Sequence, residues 1–282
     1  MFASMKTILR YPLHVAGIVL ALVLSVTTLA LSHDLFLKPD AFFVAPHGTA
    51  RLTALNGTFS SSEGTVAADR LLDLAIVSPG GRVKGDTSAW RAQDKASRWT
   101  AGVGPAGTYV FGASLRPRLI TLDGAKFNAY LAEDGLPDIL AARTTAGELT
   151  KGATERYAKH VKALVQVGDA RTASFGAILG YPAELVPLDN PYVRGARTLR
   201  VRALVDGAPI ANQVVLAGGR TPSGGRIREQ SVRTDASGDA DIRLATAGVW
   251  YVKFIRMARV PAAAHDSVDY ESKWATLTFA VK

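Results

Sequence analysis

The sequence predicts a mainly β protein made of two β-sandwich domains, with a short helical insert in the first. Three observations predict this class. The 282 residues include 26 Gly and 13 Pro, which separate short alternating segments about 10 to 15 residues apart. Apolar residues at helical spacing are confined to 125–143. Six or seven strand-like segments follow residue 194 within about 90 residues, close to the size of one sandwich domain.

The first 32 residues have the pattern of a secretory signal peptide. Lys6 and Arg10 precede a nearly unbroken apolar run at 15–31, VAGIVLALVLSVTTLAL. Small residues at the −3 and −1 positions permit cleavage before His33 or before Leu31. An uncleaved membrane anchor is the alternative, because 17 apolar residues are the short limit of a spanning helix. Since no second apolar stretch has this length, we expect a periplasmic protein without a membrane span in the mature chain.

The first predicted domain, residues 33–169, is a sandwich interrupted by the helical insert. Two short helices are expected at 125–134 and 136–143, separated by Gly135 and Pro137. Residues 170–193 are expected to form a connector. The strand-like segments of this domain are 33–37, 41–44, 50–55, 72–77, 98–101, 107–112 and 157–167.

The second predicted domain, residues 194–282, is an immunoglobulin-like sandwich. Asp206-Gly207 is typical of a hairpin turn, and 248–255 is the strongest strand signal in the chain. The order of a strand, a Thr-Asp-x-x-Gly turn and a Gly-x-Trp-Tyr strand resembles prealbumin-like and carboxypeptidase-regulatory-like sandwiches. Its predicted strands are 199–205, 209–216, 231–235, 239–244, 248–255 and 274–281.

Composition excludes several classes of function. The chain contains no Cys, which excludes disulfides, Cys-ligated zinc, iron–sulfur clusters and thiol nucleophiles. Without the signal peptide, 31 basic and 24 acidic residues remain, but the basic residues are scattered, so nucleic acid is not an expected partner. The Gly-rich segment 218–225 lies between strands and predicts a hairpin loop, since a phosphate cradle needs a helix N-terminus. Arg220, Arg226 and Arg228 beside it are candidates for contacting anions.

No motif of an enzyme is present. The sequence lacks Gly-x-Ser-x-Gly, His-Glu-x-x-His, a Walker loop and a dinucleotide-binding fingerprint. We therefore expect a binding protein and no catalytic residues.

His33 is the first candidate metal ligand. Cleavage before it would leave an α-amine and an imidazole that can chelate one ion, because α-amino pKa values are about 7.7–8.0. Cleavage before Leu31 would place His33 third, where the amine, two amides and the imidazole form a square-planar site. Either set of nitrogen donors suits Cu(II) and Ni(II), and Co(II) less strongly. An ordinary surface His is the alternative.

The loop before the last strand is the second candidate. His265 and Asp269 lie in the segment His-Asp-Ser-Val-Asp-Tyr-Glu, and loops on sandwiches often carry binding sites, although a solvated acidic loop is the alternative. His47 is expected in an exposed turn. His160 is flanked by Lys159 and Lys162, which favours a structural role.

Several segments resemble an uncharacterised bacterial exported family formerly labelled nickel-uptake (NikM-like). They are HDLFLKP at 33–39, YAKHVKALVQVG at 157–168, GYPAELVPLDNPY at 180–192 and the C-terminal block 269–279. The family is grouped with periplasmic components of cobalt/nickel transport systems. The resemblance implies a metal-handling protein and strengthens His33 as a ligand.

The resulting prediction is a periplasmic protein that binds nickel or cobalt, with copper as a further candidate, for a membrane metal transporter. Its predicted metal ligands are His33, Asp34, His265 and Asp269. One alternative is a surface carbohydrate- or protein-binding double sandwich without a metal site, using aromatic residues such as Trp90, Tyr192 and Tyr270. Another is a copper oxidase with an N-terminal histidine brace, for which His160 or His265 would supply the second His.

Overall fold

The computed structural model describes residues 34–261 and 267–282, and its fold is mainly β with two short helices, as predicted. The predicted signal peptide and the candidates His33 and His265 lie outside these residues. Among the helices of the described ranges, none has the length and apolar composition needed to cross a membrane.

The elements follow the chain in this order: β1 (Asp34–Pro39), β2 (Phe43–Val44), β3 (Thr49–Gly57), β4 (Ser62–Gly64), β5 (Leu71–Ser78), β6 (Gly81–Lys84), β7 (Trp90–Gln93), β8 (Ala96–Gly102), β9 (Gly107–Leu115), β10 (Arg118–Leu122), α1 (Gly124–Glu133), α2 (Pro137–Thr145), β11 (Ala153–Val167), β12 (Ala183–Pro187), β13 (Thr198–Val205), β14 (Ala208–Pro209), β15 (Val214–Arg220), β16 (Arg226–Arg233), β17 (Asp239–Arg243), β18 (Gly248–Arg259) and β19 (Tyr270–Val281).

One large sheet runs through both predicted domains. Its order is β16-β15-β18-β19-β11-β9-β5-β6, and β2 and β10 also pair with β11. The pair of β11 and β19 is parallel and runs in register from Glu155 opposite Tyr270 to Ala163 opposite Thr278. Strands from residues 33–169 and from 194–282 therefore share a sheet, while the division of the chain into two domains stays a prediction.

Smaller sheets cover the two faces of the large one. The sheet β1-β3-β8-β7, with β4 on β3, packs on β5, β9 and β11 through Val161, Ala163 and Val165. The sheet of β12, β13, β14 and β17 packs on the opposite face, where Leu164 points. Successive residues of a strand point to opposite faces, so β11 alternates between the two cores.

The segment 170–193, predicted as a connector, contains β12, which pairs with β13 in register from Ala183 opposite Val205 to Pro187 opposite Val201. This strand was not predicted from the sequence, and the role of 170–193 as a connector stays a prediction. The sequence of β12, AELVP, does not alternate between apolar and polar residues as a half-exposed strand does, because β12 is buried along its whole length. The alternation pattern therefore did not reveal this strand.

The helical insert is confirmed. Asp123 caps α1 by accepting a hydrogen bond from Lys126 N at 2.8 Å, and Gly135, with φ +77°, follows the end of the helix. Pro137 begins α2, where its missing N–H is not needed. The buried residues of this region, Phe127, Tyr130, Leu131 and Leu136, pack on β18 and β19.

Candidate functional site

Asp34 is one of the two predicted ligands that the structure describes. It begins β1 opposite Gly57, and its Oδ2 accepts a hydrogen bond from Lys253 Nζ at 2.6 Å. The same ammonium donates to Asp134 Oδ1 at 2.8 Å. The Lys253 side chain is 7% exposed and both carboxylates are 14% exposed. One ammonium thus binds two carboxylates inside the protein.

The positions of Asp34, Asp134 and Lys253 in the fold explain how these three groups meet. Asp134 lies directly after α1, and Lys253 lies in the middle of the apolar strand β18. Because β1 and α1 both lie on the same face of the large sheet, the start of β1 and the end of α1 reach the Lys253 side chain together. Neither carboxylate has a neighbour in sequence that could predict this contact.

The charges in this group shift one another's pKa values. Burial raises the pKa of Asp134 to about 6, against the opposing effect of Lys253. Burial alone would lower the pKa of Lys253, but the two carboxylates outweigh it, and the pKa lies above its ordinary value. The ammonium is therefore charged at neutral pH, and its charge is balanced internally.

Further buried titratable groups adjoin these three. Lys159 lies 4.9 Å from the centre of the Trp274 ring, and burial lowers the pKa of Lys159 to about 8. Glu155 accepts hydrogen bonds from Tyr130 and Ser272, and burial raises the pKa of Glu155. We call Asp34, Asp134, Glu155, Lys159 and Lys253 the interior charge cluster.

One oxygen of Asp34 lacks a partner. Its Oδ1 is buried and has no hydrogen-bond partner among the described residues. A buried acceptor left unpaired costs about 1–3 kcal/mol, so such atoms usually have a function or an undescribed partner.

Asp269, the other described candidate, lies elsewhere. Its Oδ2 accepts a hydrogen bond from Thr154 N at 2.7 Å, and its backbone oxygen accepts one from Val260 N. Val260 is seven residues beyond Lys253, or about 20 Å along an extended strand. The structure does not bring Asp34 and Asp269 together, and Asp269 joins the start of β11 to the segment before β19.

His160 is buried on the other face of the large sheet. It neighbours Lys159 on β11, so the two side chains point in opposite directions, and Asp34 lies on the Lys159 face. His160 Nδ1 lies 2.9 Å from Ser114 Oγ, and burial lowers the pKa of His160 to about 4. The predicted structural role of His160 agrees with this position. A copper-binding histidine brace between His160 and the start of β1 at Asp34 would have to cross the large sheet.

The remaining predictions for single residues have mixed outcomes. His47 lies in an exposed turn with φ 59°, as predicted. The aromatic residues nominated for a surface contact are buried: Trp90 is 2% exposed, Tyr192 5% and Tyr270 2%. That prediction was wrong because these rings fill the cores between sheets. Within 34–261 and 267–282, no group of three or more His, Asp or Glu is placed to hold a metal ion.

The sequence reasoning missed the interior charge cluster. A signal was present, because Lys253 interrupts a largely apolar strand and Lys159 lies on the same face of β11 as Val161, Ala163 and Val165. A charge inside a buried strand needs a partner, so these lysines predict buried carboxylates, although not which ones. Lys162 follows the same rule, since its Nζ lies 2.9 Å from the buried carboxylate of Glu184.

Comparison with known families identifies the chain. Residues 30–258 match the family model described as Domain of unknown function (DUF4198), which covers most of the sequence. The protein therefore belongs to this family, and membership of an uncharacterised domain family is confirmed, while the nickel-uptake (NikM-like) label stays a prediction. The comparison with curated proteins finds no match.

Two solved structures are similar at low identity. One is the tetra-tandem repeat in the extending region of a large adhesion protein, with 13% identity, a TM-score of 0.21 and coverage of 88% of this chain and 49% of that chain. The other is native alpha-2-macroglobulin from Escherichia coli spanning domains MG0-NIE-MG1, with 13% identity, a TM-score of 0.21 and coverage of 87% and 69%. This chain spans about half the length of the first.

Proposed function

We propose that this protein is exported to the periplasm and binds a divalent transition metal there for an uptake system. Nickel and cobalt are the first candidates, and copper is the third. The principal ligands are the α-amine and imidazole at a processed terminus carrying His33. The metal is cargo, and a membrane metal transporter is the proposed recipient.

The observation that carries the proposal is the anchoring of Asp34. A chelating terminus binds well only if its donors need little ordering when the ion arrives. Residue 33 is bonded to a residue whose backbone pairs with β3 and whose carboxylate is bound by Lys253. The segment that carries the donors therefore begins at a fixed point.

The donor chemistry also fits. Amine and imidazole nitrogens suit nickel and copper, and Asp34 Oδ1 is a buried oxygen without a partner among the described residues. This oxygen can accept a hydrogen bond from a ligated imidazole or can itself contact the ion. A hydrogen bond from a ligated imidazole to a carboxylate orients the ring and raises the basicity of its ligating nitrogen.

The test uses protein exported and processed by a bacterial host. Mass spectrometry identifies its first residue, and calorimetry follows titration with Ni(II), Co(II) and Cu(II). We expect one tight equivalent. A matched sample with one extra Ala before the native terminus moves the amine away and should bind at least about a hundredfold more weakly.

Two outcomes contradict the proposal. Binding no tighter than roughly 0.1 mM, about −5.5 kcal/mol, would exclude metal delivery. Tight binding that the extra Ala leaves unchanged would show that the terminus is not the site.

A further inference from the structure

β16 (Arg226–Arg233) is the outer strand at one edge of the large sheet. In the part of the chain that the structure describes, it pairs with β15 and with no second strand. Alternate backbone N–H and C=O groups of its outer edge therefore take no part in the sheet. Such an edge is a template for one more strand.

The outer edge of β16 borders a groove of about 720 Å³. Its opposite wall is the segment from Arg243 to Thr246, which follows β17. The buried ring of Trp250 lies between the walls and donates to Thr246 O at 3.1 Å.

The two walls are held at a fixed separation. The Gln230 side chain donates to Arg243 O at 2.8 Å and accepts from Arg243 N at 3.1 Å. Leu244 N donates to Arg197 O at 2.8 Å, which holds the second wall against the smaller sheet. The two walls are therefore in contact at Gln230, and a ligand reaches the edge of β16 on the Arg226 side of this contact.

The groove carries an excess of positive charge. Arg226, Arg228 and Arg243 line it, and Arg197 adjoins it next to Arg243. None of these four exposed arginines has an ion-pair partner within 34–261 and 267–282. The acidic residue of β16, Glu229, accepts a hydrogen bond from the Tyr251 hydroxyl at 2.6 Å.

This charge argues against a second copy of the chain as the occupant. Two β16 strands paired edge to edge in full antiparallel register would place Arg226 of each copy opposite Arg233 of the other, and like charges on facing strands repel. A charged edge can also serve only to prevent aggregation. That role needs no groove with a second wall.

We propose that this groove binds an extended acidic segment of a partner protein. The segment adds to β16 as one more strand, and its carboxylates pair with Arg226, Arg228 and Arg243. Backbone hydrogen bonds supply affinity for any extended chain, and the arginines select an acidic one. This inference is independent of the proposed metal site.

The test uses the exported, processed protein and a synthetic peptide of alternating Asp and Val residues. We expect the peptide to bind, and the double variant Arg226→Glu with Arg228→Glu to weaken binding by at least about tenfold. The matched control is Arg51→Glu with Arg91→Glu, two exposed arginines on β3 and β7. It changes the net charge equally and should leave the affinity within about twofold.

Amide hydrogen exchange tests the added strand. Peptide binding should slow exchange in β16 and leave the opposite edge strand, β6, unchanged. A peptide of alternating Asp and Pro has the same charge but cannot pair, so it should bind at least about tenfold more weakly.

Each of four results would overturn the inference. These are no binding of the Asp-Val peptide, equal binding by the Arg226→Glu, Arg228→Glu variant, equal binding of the Asp-Pro peptide, and unchanged exchange in β16.

Discussion

Lys253 shows how a single charged residue can be retained inside an apolar strand. Its ammonium contacts Asp34 at 2.6 Å and Asp134 at 2.8 Å, so one cation satisfies two carboxylates brought in by β1 and α1. Removing one partner from a buried ion pair is far more costly than removing the whole pair, because the remaining charge is left unsolvated.

We therefore expect Lys253→Met to lower the free energy of unfolding by about 3–5 kcal/mol. The triple variant that adds Asp34→Asn and Asp134→Asn should recover much of this loss, since the two carboxylates that Lys253 paired with are then uncharged. Urea denaturation measures both. The control is Lys273→Met. The Lys273 ammonium pairs with Asp206 at the surface, and such a pair contributes about 1 kcal/mol or less to the free energy of unfolding. Equal losses for Lys253→Met and Lys273→Met would contradict the account.

His160 predicts a pH dependence. Its ordinary pKa is 6.5, and burial lowers the pKa of His160 to about 4 in the folded protein. Between these values the unfolded chain holds a proton that the folded chain does not, so the contribution of His160 to stability rises with pH. The difference in stability between the wild type and His160→Asn should grow by roughly 3 kcal/mol from pH 4 to pH 7.

Urea denaturation across this pH range makes the comparison. Asp134 acts in the opposite sense, because its raised pKa makes its contribution fall as pH rises through about 6, but it is present in both proteins and cancels in the difference. His47→Asn, which removes an exposed imidazole, serves as the control. Parallel curves for the wild type and His160→Asn would refute the prediction.

Among the elements of the described residues, β9 is the longest strand that is buried throughout, since all nine of its residues are buried. The sheet of β1, β3, β8 and β7 covers one of its faces, and the segment after β11 covers the other. Gly112 lies where that segment comes closest: a Cβ there would be 2.2 Å from Leu179 Cδ1 and 2.8 Å from the Tyr181 hydroxyl. The close approach needs glycine.

Gly112→Ala should therefore destabilise the protein by about 1–3 kcal/mol, because the added methyl displaces Leu179 and Tyr181. Chemical denaturation measures the loss. Gly102→Ala on β8 is the matched control, since a Cβ there meets nothing within 4 Å, and alanine there should be neutral or slightly stabilising. A loss no larger for Gly112→Ala than for Gly102→Ala would show that the segment moves aside without cost.

At the scale of the whole molecule, β11 and β19 join the two predicted halves. Their residues pair in parallel over a separation of more than a hundred positions in the chain. The sequence predicted both strands, and in the structure Val161, Ala163, Val165 and Val167 of β11 share one core. It contained no signal for their pairing, because alternation reports which face a residue occupies and not which strand lies beside it.

The candidate site also has one part that the sequence predicted and another part that only the structure shows. The sequence singled out Asp34 because it follows His33, and the structure adds the charged groups around Asp34, which come from the end of α1, from β11 and from β18. Asp269 was grouped with Asp34 because it lies in a predicted acidic loop together with His265. Strand register separates them, and register is set by packing across the whole sheet.

The sequence by itself determined the β class, most strand positions, the two helices and their ends at Gly135 and Pro137. These depend on alternation, helical spacing and turn chemistry, which act within about ten residues. Only the tertiary structure decided the shared sheet, the interior charge cluster and the open edge of β16. Each of these depends on which distant strands pack together, and buried charges such as Lys253 are stable only where that packing brings their partners to them.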